Sequence, residues 1–388
     1  MTRDGFGVRR LFATRRRRTM VIGALVAVVL LVVAGGVTVA VMPAPLARVL
    51  GIHDTQVDHA CVPATPQTPL GVAAGSGLTT LSDADLARTL DMTAEGGMRW
   101  IRFDVPWSSV EATRGQYDWA ATDRVVDAAR ARGLTILGIV DTTPTWARLP
   151  GALDKEFSLP NDTAAFGNFA GLAARRYADR ITAWEVWNEP NIVNFAAPAP
   201  DVAVYGRMLS AASIAIRTNA APGVTIVTAG LSPAVDGGGN IAPTRFLSTL
   251  YRVADSASWD AVGIHPYSYP YLPLDSSSKS FNAFAQLPAL YATMRRNGDG
   301  AKKLWVTEYG APTGGTSKQR VSEQFQADSL WSAIMSTRSR GHFGPFFVYS
   351  LRDAGTDTSD VEDNFGLLRN DFSPKKAYGA VRAAADCR

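Results

Sequence analysis

Eight short apolar runs separated by longer amphipathic segments constrain this 388-residue chain more than any other feature. The runs begin at Gly71 (GVAAG), Met98 (MRWIRF), Leu134 (LTILGIV), Ile181 (ITAWEVW), Val224 (VTIVTAG), Trp259 (WDAVGIH), Lys303 (KLWVTEY) and Pro345 (PFFVYSL). Runs that are apolar on both faces fit buried parallel strands, and helix-period segments between them fit βα repetition. Eight such units predict an α/β chain closed into a (β/α)8 TIM barrel over residues 69–388. The other layout for such units is a doubly wound open sheet, which usually carries a GxGxxG turn. GVAAGSG at 71–77 lacks that spacing.

The segments between the runs carry helix marks. SDADLARTLDMTAEGG opens on Ser82 and Asp83 as capping residues and stops at a glycine pair. DWAATDRVVDAARARG buries Trp119, Val126 and Ala129 and ends on Gly133. FNAFAQLPALYATMRRNG keeps apolar residues at helical spacing, with Pro288 predicting a kink or a late start.

Charge is placed unevenly. Residues 1–20 hold seven arginines and one aspartate, so the whole-chain charge of +4 leaves the other 368 residues at −2. A nearly neutral folded region argues against nucleic acid or another polyanion as partner. The 23 residues from Met20 to Met42 carry no charge. As a helix they would be long enough to cross a bilayer core of about 30 Å. The arginines on their N-terminal side predict a cytoplasmic tail at 1–19, a transmembrane signal anchor at 20–42 and an extracytoplasmic remainder. A cleaved secretory signal peptide is the alternative, although its apolar core is usually about 7–15 residues long. Residues 43–68, rich in Pro, Ala and Thr, read as a linker.

On that topology both cysteines, Cys61 and Cys387, lie outside the membrane and bracket the folded region. They could bridge its two ends in an oxidising compartment, with unpaired thiols as the alternative.

Reactive side chains of a (β/α)8 barrel stand at the C-terminal ends of its strands. Those positions hold Arg102 after strand two, Asp141 and Trp146 after three, and Asn188 and Glu189 after four. His265 and Tyr267 follow strand six, Glu308 strand seven and Tyr349 to Asp353 strand eight. Glu189 and Glu308 are 119 residues and three βα units apart, which sets them across one central pocket. Two facing carboxyls are what hydrolysis of a glycosidic bond needs. The acids of the run Asp353, Asp357, Asp360, Glu362 and Asp363 lack EF-hand spacing and read as a solvated loop.

WNEPN at 187–191, HPY at 265–267 and WVTEYG at 305–310 together resemble the clan A glycoside hydrolases, retaining (β/α)8 enzymes. WNEPN and the tail VYSLRD are most similar to family 39, of β-xylosidase and exopolysaccharide endoglycosidase type, with family 5 second. The resemblance implies Glu189 as acid/base and Glu308 as nucleophile. Arg102 and Tyr267 would hydrogen-bond Glu308, and the charge of Arg102 would keep it ionised. Asn188 would bind the sugar 2-hydroxyl, His265 would sit beside Tyr267 and orient the pocket, and Trp107, Trp146 and Trp187 would offer faces for sugar stacking. Tyr349 stands where relatives often carry tryptophan, and Asp141 where many carry histidine. Both differences bear on which sugar fits.

The implied activity is retaining hydrolysis of an envelope or extracellular polysaccharide or oligosaccharide, with no cofactor and no metal. A binding barrel without turnover and a transglycosylase using the same residues are the alternatives.

Overall fold

The computed structural model describes residues 57–61, 68–275 and 282–387. The basic tail at 1–19, the apolar segment at 20–42 and most of the linker at 43–68 lie outside the described residues. Among the described residues, no helix is long and apolar enough to cross a membrane.

The eight apolar runs form eight parallel strands: β1 (Leu70–Ala73), β2 (Trp100–Pro106), β3 (Thr135–Asp141), β4 (Ala183–Asn188), β5 (Thr225–Gly230), β6 (Ala261–Ile264), β7 (Lys303–Tyr309) and β8 (Phe343–Tyr349). Each pairs with the next in sequence, and β8 returns to β1, so the sheet closes into a barrel. Each strand is followed by a long helix: α1 (Asp83–Glu95), α2 (Ala120–Ala131), α3 (Thr163–Arg176), α4 (Val202–Asn219), α5 (Pro243–Val253), α6 (Leu287–Arg296), α7 (Glu323–Arg338) and α8 (Lys376–Asp386), with an extra four-residue helix after β1 (Gly77–Thr80) and after β2 (Trp107–Val110). The expected TIM barrel is the observed one.

Local chemistry sets where the helices begin. The side chains of Ser82, Asp162, Asp201 and Ser322 accept hydrogen bonds from backbone N–H groups of α1, α3, α4 and α7, which would otherwise lack partners. Pro288 lies in the first turn of α6, where its missing N–H costs nothing, so it marks a late start and not a kink.

Inside the barrel, Ala73, Leu137, Ala183, Val227, Ala261, Trp305 and Phe347 form a dry plug. Trp100 closes it, standing edge-on to Trp305 at 5.6 Å and to Phe347 at 6.1 Å. Polar residues begin one layer above this plug, toward the C-terminal ends of the strands. The floor of the site is therefore solid hydrocarbon.

Cys61 and Cys387 form a disulfide with a Cα–Cα distance of 5.6 Å across 326 residues of chain. Nearby, His59 contacts Asp328 on α7 at 2.8 Å and stacks on Trp331 at 4.8 Å. Ala385 of α8 lies against Gly97, in the turn before β2. The bridge thus sits at the barrel face opposite the strand ends that carry the polar residues.

Candidate active site

A cavity of about 540 Å³ opens at the C-terminal ends of the strands. Arg102 on β2 organises its base and is almost wholly buried. Its Nε and Nη2 donate to the two oxygens of Glu185 at 2.6 and 3.1 Å. Its Nη1 donates to Glu308 at 2.6 Å, and Nη2 also reaches the amide oxygen of Asn188 at 2.9 Å. Burial alone would lower the affinity of this guanidinium for its proton. The carboxylates of Glu185 and Glu308 more than offset that and raise it. Only a planar fork can meet three partners in this way.

Glu308 reaches the cavity through an irregularity in β7. Strand alternation would turn Trp305 and Thr307 inward and Glu308 outward. The pairing with β8 shifts register between Val306 and Tyr309, and Glu308 joins the inner face there. A bulge is the usual device for re-aiming one side chain at a site. Tyr267 donates to the second oxygen of Glu308 at 2.8 Å. Burial pushes the Glu308 carboxyl up, while His265, Arg102 and the Tyr267 hydroxyl pull it down, and the net result lies below its ordinary value.

Glu189 follows β4 in a left-handed backbone conformation (φ 47°) that turns its side chain into the same cavity. Asn191 holds that turn. Its amide accepts from the Ser232 N–H and donates to the carbonyls of Ser232 and Ile241, each at 2.9 Å. His265 Nδ1 lies 2.8 Å from Glu189 and 3.5 Å from Glu308, so the imidazole sits between the two acids. One oxygen of each carboxyl and one nitrogen of His265 all lie within 4.8 Å of one another. A metal ion could use the same three atoms, but acid and base work on a glycosidic bond needs no ion. The space for His265 exists because residue 230 is glycine. A Cβ there would fall 2.1 Å from His265 Nε2 and 2.5 Å from Thr307 Oγ1.

Arg102, Asn188, Glu189, Tyr267, Glu308 and Tyr349 all line this cavity, with His265 buried beside them. Tyr349 packs against Phe365 at 5.2 Å and donates to Glu362 at 3.2 Å.

The three tryptophans expected to stack on sugar do not line the cavity. Trp187 has a positive φ of 75°, which breaks the alternation of β4 and sends its ring among Phe157 and Phe166. Trp107 is fully buried against Phe166 and Phe169 of α3, with its indole N–H on Glu111 at 2.6 Å. Trp146 stands edge-on to Trp107 and donates to the Glu111 carbonyl. Trp107 and Trp187 are packing residues between strands and helices, and half-buried Trp146 covers Trp107 from a turn after β3. The aromatic side chains that do line the cavity are Phe157, Phe195, Tyr267, Tyr269, Tyr349 and Phe365.

Sequence reasoning also missed Glu185 and Asp104. Each lay within reach of the alternation rule. Glu185 is two residues beyond the plug residue Ala183, and Asp104 two beyond Arg102, so both belong to the inner face. The acidic run after β8 is less solvated than expected: Asp353 is buried on Lys375 at 2.7 Å, and Glu362 lines the cavity.

Residues 87–196 match the family model described as Glycosyl hydrolase family 10. A family 39 glycoside hydrolase from the gut symbiont Bacteroides cellulosilyticus WH2 superposes with a TM-score of 0.63 and 25% identity, covering 83% of this chain and 64% of that one. The family 39 enzyme from Xanthomonas axonopodis pv. citri gives 0.62 and 18%, covering 84% and 67%. A family 5 protein, GH5_18 from Streptomyces cattleya in complex with GlcNAc, gives 0.60 and 16%, covering 83% and 79%. The chain resembles the clan A glycoside hydrolases. The matched family model is family 10, whereas the motifs pointed first to family 39 and then to family 5; the solved structures include both of the latter. The chain spans about two thirds of the length of the two family 39 proteins. These matches show the barrel fold that this chain shares with glycoside hydrolases.

Proposed function

We propose that this chain is a retaining glycoside hydrolase that cleaves an envelope or extracellular polysaccharide or oligosaccharide by double displacement. The observation that carries the reading is the unequal setting of two facing carboxyls. Glu308 receives short hydrogen bonds from Arg102 and Tyr267, at 2.6 and 2.8 Å, whereas Glu189 has the single close contact to His265. Two donors, one of them cationic, favour an ionised Glu308, the state a nucleophile needs. Glu189, out of contact with Arg102 and Tyr267, takes the acid/base role.

In the first step a Glu308 oxygen attacks the anomeric carbon as Glu189 gives its proton to the departing glycosidic oxygen. The product is a glycosyl ester on Glu308. In the second step Glu189 takes a proton from water, the water oxygen attacks the same carbon, and Glu308 leaves as carboxylate. His265 between the acids keeps Glu189 in reach of both events. With its oxygen held by Arg102, Asn188 has its amide N–H group left to donate to a sugar hydroxyl. A carboxyl separation of about 5–5.5 Å is typical of retention, and oxygens within 4.8 Å of each other support it. Anchoring at the membrane by residues 20–42, with the barrel on the outer side, is part of this proposal.

The test is the full chain beside Glu308→Gln on plant β-glycans and bacterial envelope polysaccharides, with products read by mass. Cleavage by wild type and not by the variant is expected. Binding of one polymer by both proteins, with cleavage by neither, would move the non-catalytic barrel ahead.

A further inference from the structure

Double displacement gives no task to Asp104 and Asp141. Asp104 on β2 and Asp141 at the end of β3 both line the cavity. Asp141 is 1% exposed, and neither of its oxygens has a hydrogen-bond partner. The β2–β3 register sets Asp141 opposite Pro106, and alternation keeps Pro106 and Asp104 on the same inner face as Arg102. The two acids therefore share one side of the wall, beside the reacting pair. Among the described residues lining the cavity the cation is Arg102, and its hydrogen bonds go to Glu185, Glu308 and Asn188. Buried acceptors left this way are costly unless something donates to them.

Two ligand chemistries could supply donors, an ammonium and a pair of hydroxyls. Both carboxyls are pushed above their ordinary range, by burial first and then by neighbouring acids, Asp104 to about 7. An ammonium can only donate and would leave the O–H of a protonated carboxyl without an acceptor, whereas a hydroxyl can both donate to a carboxylate and accept from a carboxylic acid.

We propose that Asp104 and Asp141 form a clamp for two hydroxyls of the sugar ring seated in the cavity, so that the site takes uncharged glycans and refuses uronate, sulfated or phosphorylated ones. This inference rests on the glycosidase reading. Glu308 and Glu362 line the same cavity and meet an anionic sugar with like charge, and above about pH 7 the Asp104 carboxylate adds to it.

The experiment compares the full chain as wild type, Asp104→Asn, Asp141→Asn and Glu308→Gln. The substrates are gluco-, xylo-, manno-, galacto- and arabino-oligosaccharides, together with oligogalacturonate and C6-oxidised cello-oligosaccharides. Product masses, KM, kcat and Tm are recorded. Wild type should cleave an uncharged chain and no uronate. Either Asn variant should raise KM on the uncharged chain by about tenfold or more while changing kcat less. At pH 8, where the carboxyl of Asp104 is ionised, the Asn variants should also narrow the discrimination against uronate, with Tm no lower than wild type. Discrimination unchanged in both variants, or a uronate preferred by wild type, overturns the clamp. If Glu308→Gln has lost cleavage in that case, the glycosidase reading stands and the clamp alone fails. Cleavage that survives in Glu308→Gln, or no cleavage by wild type, overturns the reading and the clamp with it.

Discussion

Arg102 binds Glu185 and Glu308 at once, each at 2.6 Å, so one guanidinium joins the buried acid of β4 to the acid of β7. A buried arginine on a barrel strand can serve a structural acid or a working one. Here it serves both, and each hold depends on the other.

Replacing Arg102 with lysine should therefore damage fold and site together. An ammonium cannot span Glu185, Glu308 and Asn188, and it leaves a carboxylate buried without its partner. Removing one partner of such a pair costs about 3–5 kcal/mol. Thermal unfolding should show that loss, and kcat on the cleaved glycan should fall by about 10²-fold or more through misplacement of Glu308. A lysine variant with wild-type kcat would contradict the role given to the fork.

Gly230→Ala tests whether His265 needs its place between the acids. The added methyl would meet His265 Nε2 and Thr307 Oγ1 well inside contact distance. Overpacking of this kind costs about 1–3 kcal/mol, which a barrel of this size should survive. Activity should fall by about 10²-fold or more, because the imidazole must leave the position from which it contacts Glu189. Comparison of kcat with Tm separates the two effects.

Asp104→Asn should stabilise the protein at high pH. Burial raises the Asp104 carboxyl to about 7; Glu308, Glu185, Glu156 and Asp141 face it with like charge, and Arg102 opposes them. Between about pH 4 and 7 the folded state holds a proton that the unfolded chain has released, so stability falls as pH rises through that window. An asparagine cannot ionise and escapes this loss. The variant's Tm should match wild type near pH 4 and exceed it at pH 8. A Tm difference that does not change with pH would contradict the assignment.

The barrel was legible because its strands are buried on both faces, and burial leaves a direct mark in composition. Glu189 and Glu308 were legible from the motifs around them. The tryptophans were not, since Trp187 differs from an inward residue only by a left-handed φ that composition does not encode. Glu308 raises the same difficulty in reverse: alternation alone points it outward, and a register shift brings it in. Glu185 and Asp104 were readable from period two but have no motif of their own. The pairing of Cys61 with Cys387 was open in the sequence and is present in the fold.

Cys61→Ser should lower stability and spare the chemistry. The bridge closes 326 residues, for which chain entropy gives an upper figure of roughly 5 kcal/mol. It lies at the barrel face away from Glu189 and Glu308. Denaturant midpoints should fall, while kcat at low temperature should stay within about twofold of wild type.

The most direct test of the account follows the anomeric carbon. Once the glycan panel has supplied a cleaved chain, proton NMR of the reducing end formed in the first minutes reports its configuration before mutarotation. Two carboxyls this close, with Glu308 ionised by Arg102 and Tyr267, predict that the product keeps the configuration of the bond that was cut. An inverted product would contradict a covalent intermediate on Glu308 and require a water molecule in its place.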